Sequence, residues 1–317
     1  MESEQKRTNK ILVRAAIGIT LLVVLIWNVN IKNLINSFCQ ISIPFLLFAI
    51  CYQYGSVFVG SLNQYILFRT FNELTYKIFL ISYFRAFAIG LLLPGRFGDA
   101  AIGVFLKSEG LYYTQAFSAY LWDKYLTFTL YLVIVLLFFA NIMGQPYYIP
   151  LLLWLVLGLI LPVIIYSVLR TTIAKQRSRS EGRWARFSDN LLSQLLDFAK
   201  LHPCLLLINL FITCIKLCLV ILSYHVILIS LGYYLGVWKV GLASLASGIV
   251  AYIPVSIQGL GTVEAAALFN FKTLGVSSSD VLVCYLLLRT NTYVLALFAY
   301  FFTFLLHKKP NKEVSFL

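Results

Sequence analysis

Residues 147 to 169 carry no charged side chain. Wound as a helix, a stretch of that length reaches across the roughly 30 Å hydrocarbon core of a bilayer. Comparable apolar runs occupy about 11–27, 43–68, 114–140, 204–231 and 281–306. Lipid offers no hydrogen bonds, so a chain crossing it repeatedly must satisfy its backbone within helices. The expected fold class is therefore an all-α polytopic membrane protein. Hydrophobic residues make up 61% and charged residues 12%, about half the charge of a soluble domain. No long linker divides the chain, so 1–317 reads as a single integral membrane domain. Its one substantial polar insertion, 170–203, is a basic, amphipathic connector.

The net charge of +13 does not point to nucleic acid. Lys and Arg gather at the ends of apolar runs, which is the positive-inside pattern. The six cysteines lie in or beside apolar segments and read as small apolar filler. The three histidines are scattered, without zinc-ligand spacing. No metal or cofactor is expected. The basic N-terminal residues Lys6, Arg7 and Lys10 precede an apolar run without a small-x-small cleavage site, so 11–27 reads as a first span.

Two segments are too short to cross alone. Residues 78–93 would rise about 24 Å, and the stretch "LLLPGRFGDAAIGVFLK" follows at once. Residues 240–253 are shorter still and run into "IPVSIQGLGTVEAAALFNF". The reading that keeps basic segments on one side makes 78–93 with 97–106 a re-entrant hairpin from the cytoplasm. It makes 240–253 with 259–271 a second hairpin from outside. About six full spans remain among eight hydrophobic segments, with both termini cytoplasmic. Only Lys32, Lys239 and Lys272 then lie outside, whereas the other loop and terminal Lys and Arg lie inside. Two full crossings in place of the hairpins would preserve the same asymmetry. Paired Gly/Pro-broken segments in corresponding halves point to a transporter's central site, and to a possible inverted repeat.

Within the connector, Trp184, Phe187, Leu191, Leu195 and Phe198 recur at helical spacing. This fits either a helix lying on the cytoplasmic leaflet or one packed on the bundle. The upstream "KQRSRS" is expected to face anionic lipid.

Ionisable side chains inside spans cost about 2.5–3.5 kcal/mol at the bilayer centre, so they are candidates for function. Pro94 ends a helix, Gly95 permits a turn, and the next helix start favours an anion. Arg96 suits phosphate through its planar fork. Asp99 is its partner or a first-turn residue; a surface ion pair in a cytoplasmic turn is the plainer alternative. Glu264 follows the second break and either complements a helix dipole or pairs with Arg289 or Arg85 in a central cavity. Arg85 lies mid-segment, where snorkelling is difficult. Arg289 sits in a polar patch with Thr290, Asn291 and Tyr293. Asp123 and Lys124 fit an ordinary boundary, and Arg14 and Lys216 fit snorkelling cations.

The two motifs "LLLPGRFGDA" and "IPVSIQGLGTVEAA", with Arg289 early in the last span, resemble a flippase-like family. That family comprises the membrane region of lysylphosphatidylglycerol synthases and related stand-alone proteins. Arg96, Gly98, Asp99, Pro254, Ser256, Gly259, Gly261 and Glu264 fall on motif positions. An arginine common after the first motif is replaced by Ala101, Ile102 and Gly103, and Gln258 stands where glycine is common. The resemblance implies movement of an anionic phospholipid or a polyprenyl-linked sugar between leaflets of a plasma membrane, with a bacterial inner membrane as the expected one. It implies substrate binding by Arg96, Asp99, Ser256, Gly259, Gly261, Glu264 and Arg289, and Arg85 joins them as a candidate on its mid-segment position. The polar loops are too short for the soluble lysyltransferase domain, so enzymatic activity is less expected than transport. The alternative is a membrane-embedded glycosyltransferase using a polyprenyl-phosphate donor, or an accessory subunit of lipid or glycan modification.

Overall fold

A computed structural model describes residues 2–91, 101–144, 146, 149 and 183–306. The described residues are helical, with short 3-10 turns at Lys107–Glu109 and Ile249–Tyr252. In chain order the helices are α1 (Glu2–Val29), α2 (Ile31–Gln40), α3 (Ile43–Phe68), α4 (Tyr76–Gly90), α5 (Ile102–Leu106) and α6 (Tyr113–Met143). They continue with α7 (Arg183–Leu201), α8 (Pro203–Ser230), α9 (Val237–Gly248), α10 (Thr262–Lys272) and α11 (Ser278–Leu306).

Five of these are long and apolar enough to cross a membrane: Leu12–Val29, Ile43–Phe68, Tyr113–Met143, Pro203–Ser230 and Ser278–Thr303. They coincide with five of the six spans expected from sequence. The sixth, 147–169, lies outside the described residues. Helix starts follow local chemistry. Pro44 sits in the first turn of α3 and Pro203 opens α8, where the missing N–H removes nothing a helix would use. Gly144, at φ 62°, ends α6 in the left-handed conformation.

Two buried clusters mark the two ends of the bundle. One gathers Leu67 and Phe68 of α3, Phe79 of α4, Leu106 of α5 and Ala116 of α6. The other gathers Phe138 of α6, Leu228 of α8, Val240 of α9, Phe271 of α10 and Val281 of α11. Helix α6 therefore runs from the first end to the second. Helix α4 begins at the first end, and α5 finishes there. Helix α9 begins at the second end, and α10 finishes there. At the first end the side chain of Asn72 donates to the Glu109 carbonyl at 2.6 Å, tying the loop before α4 to the turn after α5. At only 15 residues, α4 would rise about 22 Å. The two short pairs thus start and finish at opposite ends of the bundle.

The connector helix α7 packs on the first end. Phe198 is buried there and stacks on Phe71 with ring centroids 5.5 Å apart. The Trp122 indole donates to the Leu195 carbonyl at 3.2 Å. Of the two readings of this amphipathic stretch, its C-terminal half takes the packed one.

Candidate functional site

The second break shapes the middle of the molecule. After Pro254 the chain turns through Gln258 (φ 50°), Gly259 (φ 69°) and Gly261 (φ 78°) before α10 begins. All three are left-handed, a region glycine enters freely and other residues rarely do. Space restricts the glycines as well. A Cβ on Gly261 would lie 2.8 Å from the Gly18 carbonyl oxygen and 2.7 Å from the Leu21 Cβ. Helix α1 is therefore seated directly against the break. Gly261→Ala combines a strained backbone with this clash. The expected loss is about 3 kcal/mol, read as a lowered unfolding temperature in detergent.

Glu264 sits in the first turn of α10 and is 1% exposed. One carboxylate oxygen accepts from the Gly261 N–H at 2.7 Å, as a helix-start carboxylate should. The other accepts from Arg289 Nε at 2.5 Å. The same guanidinium donates to the carbonyls of Gln258 at 3.2 Å and Gly259 at 3.4 Å. Those carbonyls belong to the helix break. One arginine on α11 thus holds the break through three acceptors. Ser256, fully buried, lies 3.3 Å from the Thr262 hydroxyl across the same turn.

The sequence candidates therefore separate. Glu264, Arg289, Ser256, Gly259 and Gly261 come together at the second break. Arg85 does not join them; its guanidinium donates to the Thr303 carbonyl at 3.1 Å, tying α4 to α11. Arg96 and Asp99 lie outside the described residues.

Beside the break is a cavity of about 300 Å³, walled by α3, α4, α6, α8, α9, α10 and α11. Its charged lining is Lys124, Lys216, Glu264 and Arg289, with Gln64 and Gln258 among the polar groups. The aliphatic stem of Lys216 passes close to Gly60, whose Cβ position would lie 3.3 Å from it. Two lysines read from sequence as boundary or snorkelling residues therefore face the interior.

Behind Lys124 lies a knot that the sequence reading did not assemble. Asp123 is 1% exposed. It accepts from the side-chain amides of Asn63 at 3.2 Å and Gln64 at 3.1 Å, both on α3. The Asn209 amide of α8 stands at 3.5 Å, and Lys124 Nζ at 3.7 Å. Asn63 also donates to Thr213 at 2.9 Å. The available signal was the pair Asn63–Gln64 and the i, i+4 pair Asn209 and Thr213 inside otherwise apolar runs. A second set of amides joins α3 to α11. Gln53 donates to the Leu288 carbonyl at 2.7 Å and to Thr292 at 2.6 Å, while Asn291 donates to Gln53 at 2.7 Å.

A family model described as the lysylphosphatidylglycerol synthase TM region matches residues 11–299. The chain belongs to that family. The matched region includes both breaks, the cavity and Arg289, so the family match and the site coincide. No curated protein matches the sequence. Membership makes this chain a multi-pass membrane domain.

Proposed function

We propose that this membrane domain moves an anionic lipid between leaflets, either a phospholipid or a polyprenyl-linked sugar. The observation that supports this reading best is the cavity at the second break, where Lys124, Lys216 and Arg289 meet inside an apolar bundle. A phosphate headgroup cannot cross hydrocarbon unaided, and it needs a polar, cationic path. In this reading the two short pairs are re-entrant hairpins, the α3 C-terminal end of the bundle is cytoplasmic, and so are both termini. The membrane is the plasma membrane. Arg96 and Asp99 line the cytoplasmic side of the path, as anion clamp and partner, and Arg85 and Ser256 complete the polar route. The break after Pro254 permits gating because its backbone is not locked into a continuous helix.

The test is leaflet exchange in proteoliposomes, with labelled phosphatidylglycerol in one set and a labelled polyprenyl-phosphate sugar in another. Exchange above empty vesicles is expected for one of them. Lys216→Gln and Arg96→Ala are each expected to slow it at least about tenfold, because each removes a charge-assisted contact to phosphate. Folded protein giving no exchange with either lipid, with and without a proton gradient, would remove the transport reading.

A further inference from the structure

Gln258 is one of two non-glycine residues with positive φ among the described residues. The other, Asn30, caps α2 with its own side chain, accepting from the Lys32 N–H at 3.0 Å, a local bond that suits asparagine to such a position. Gln258 makes no such local turn. Its amide instead reaches 168 positions along the chain, donating to the Gly90 carbonyl at 2.6 Å.

That carbonyl is a special acceptor. Gly90 is the last residue of α4, and its α-helical donor would be the N–H of residue 94. Residue 94 is proline, which has none. The end of α4 thus lacks its α-helical donor for this carbonyl, and Gln258 provides one. The Gln258 backbone is itself fixed, because its carbonyl accepts from Arg289. The flexible part of the link is the side chain. Leu91 and Phe87 border the cavity on the α4 side, and Gln258 and Val263 border it on the other. The bond therefore ties the α4 wall of the cavity to the second break.

We propose that Gln258 is a latch whose side-chain amide holds the second break against the end of α4 and keeps the cavity closed between them. A single neutral amide–carbonyl bond exchanges readily for water, so the rim opens without disturbing the Glu264–Arg289 pair. The proposal rests on the transport reading only for what the gate serves; the closure itself does not depend on it.

The test uses the full chain in proteoliposomes. A reporter, Ser56→Cys, places a thiol on the cavity wall. The exposed Cys39, Cys51, Cys204, Cys214 and Cys218 are replaced by serine, and the buried Cys284 is kept. The rate of labelling by a charged, membrane-impermeant thiol reagent is compared with Gln258 intact, Gln258→Ala and Gln258→Gly. Both variants lose the latch and are expected to label about tenfold faster. Their stabilities should diverge. Glycine relieves the positive φ and unfolds at the parent temperature or above, whereas alanine keeps the strain and unfolds below it. If alanine does not fold, glycine alone carries the test. Labelling within about twofold of the parent in the glycine variant overturns the latch. Lipid exchange in the same vesicles separates the two ideas. Faster labelling without exchange in any variant supports the latch and removes transport. Exchange in the parent with unaltered labelling removes the latch and leaves transport.

Discussion

Removing either partner of the Glu264–Arg289 pair is expected to lower stability by about 3–5 kcal/mol. Glu264→Ala leaves a guanidinium in the bundle interior with neutral acceptors, the carbonyls of Gln258 and Gly259 and the Tyr293 hydroxyl, in place of its carboxylate. It also strips the Gly261 N–H of its acceptor at the start of α10. Arg289→Met leaves a carboxylate that is 1% exposed without the guanidinium that pairs with it, and it frees both carbonyls of the break. A double variant, Glu264→Ala with Arg289→Met, removes both charges together. It should cost less than the sum of the singles by about 2 kcal/mol or more. The measurement is a double-mutant cycle on the purified protein in detergent, from chemical unfolding followed by circular dichroism. Additive losses would mean that the pair is not a coupled pin. If transport survives in the double variant, Arg289 acts on the shape of the break and not on the headgroup.

Asp123→Ala should cost about 3 kcal/mol, and Asp123→Asn distinctly less. Polar contacts between helices in a bilayer average only about 0.6 kcal/mol, since unfolded helices also find partners there. Asp123 differs because it is ionic and accepts from several donors at once. Alanine would leave the Gln64 amide and one of the two Asn63 side-chain N–H bonds without their acceptor, Asn63 keeping its bond to Thr213, and would take from Lys124 the carboxylate beside it. Each buried donor left unpaired carries a desolvation cost of about 1–3 kcal/mol. Asparagine restores one acceptor but presents a donor to donors. The same unfolding assay reads both variants. An alanine variant as stable as the parent would show that α3, α6 and α8 are held by apolar packing alone. The knot also has a functional readout. Lys124 is oriented beside Asp123, so lipid exchange should fall in Asp123→Asn even where stability is mostly kept.

The lengths of the spans were legible in the sequence because hydrophobic length is a local quantity. The runs at 43–68, 114–140, 204–231 and 281–306 can be counted without knowing their neighbours, and the described helices match those counts. The second break was legible for the same reason. Pro254, Gly259 and Gly261 interrupt a helix through their own backbone chemistry, whatever surrounds them. Glu264 could be placed in a first turn from its distance past Gly261 alone.

Partners were a different matter. Lys124 and Asp123 are adjacent, so their side chains leave the helix about 100° apart. One turns into a knot of amides and the other to the cavity. Nothing in the sequence says which of α6's faces meets α3 and α8. Lys216 looked able to snorkel, and only the approach of α3 at Gly60 keeps its stem inside. Glu264 had two arginines to choose from. The crossing of α11 past the break brings Arg289 to it, while the lean of α4 on α11 commits Arg85 to Thr303. The sequence by itself determined where the chain is apolar, where its helices must stop and which charges had to be sheltered. The tertiary structure decided which charges shelter one another, because an ion pair forms between helix faces and pairing of faces is set by packing across the whole bundle.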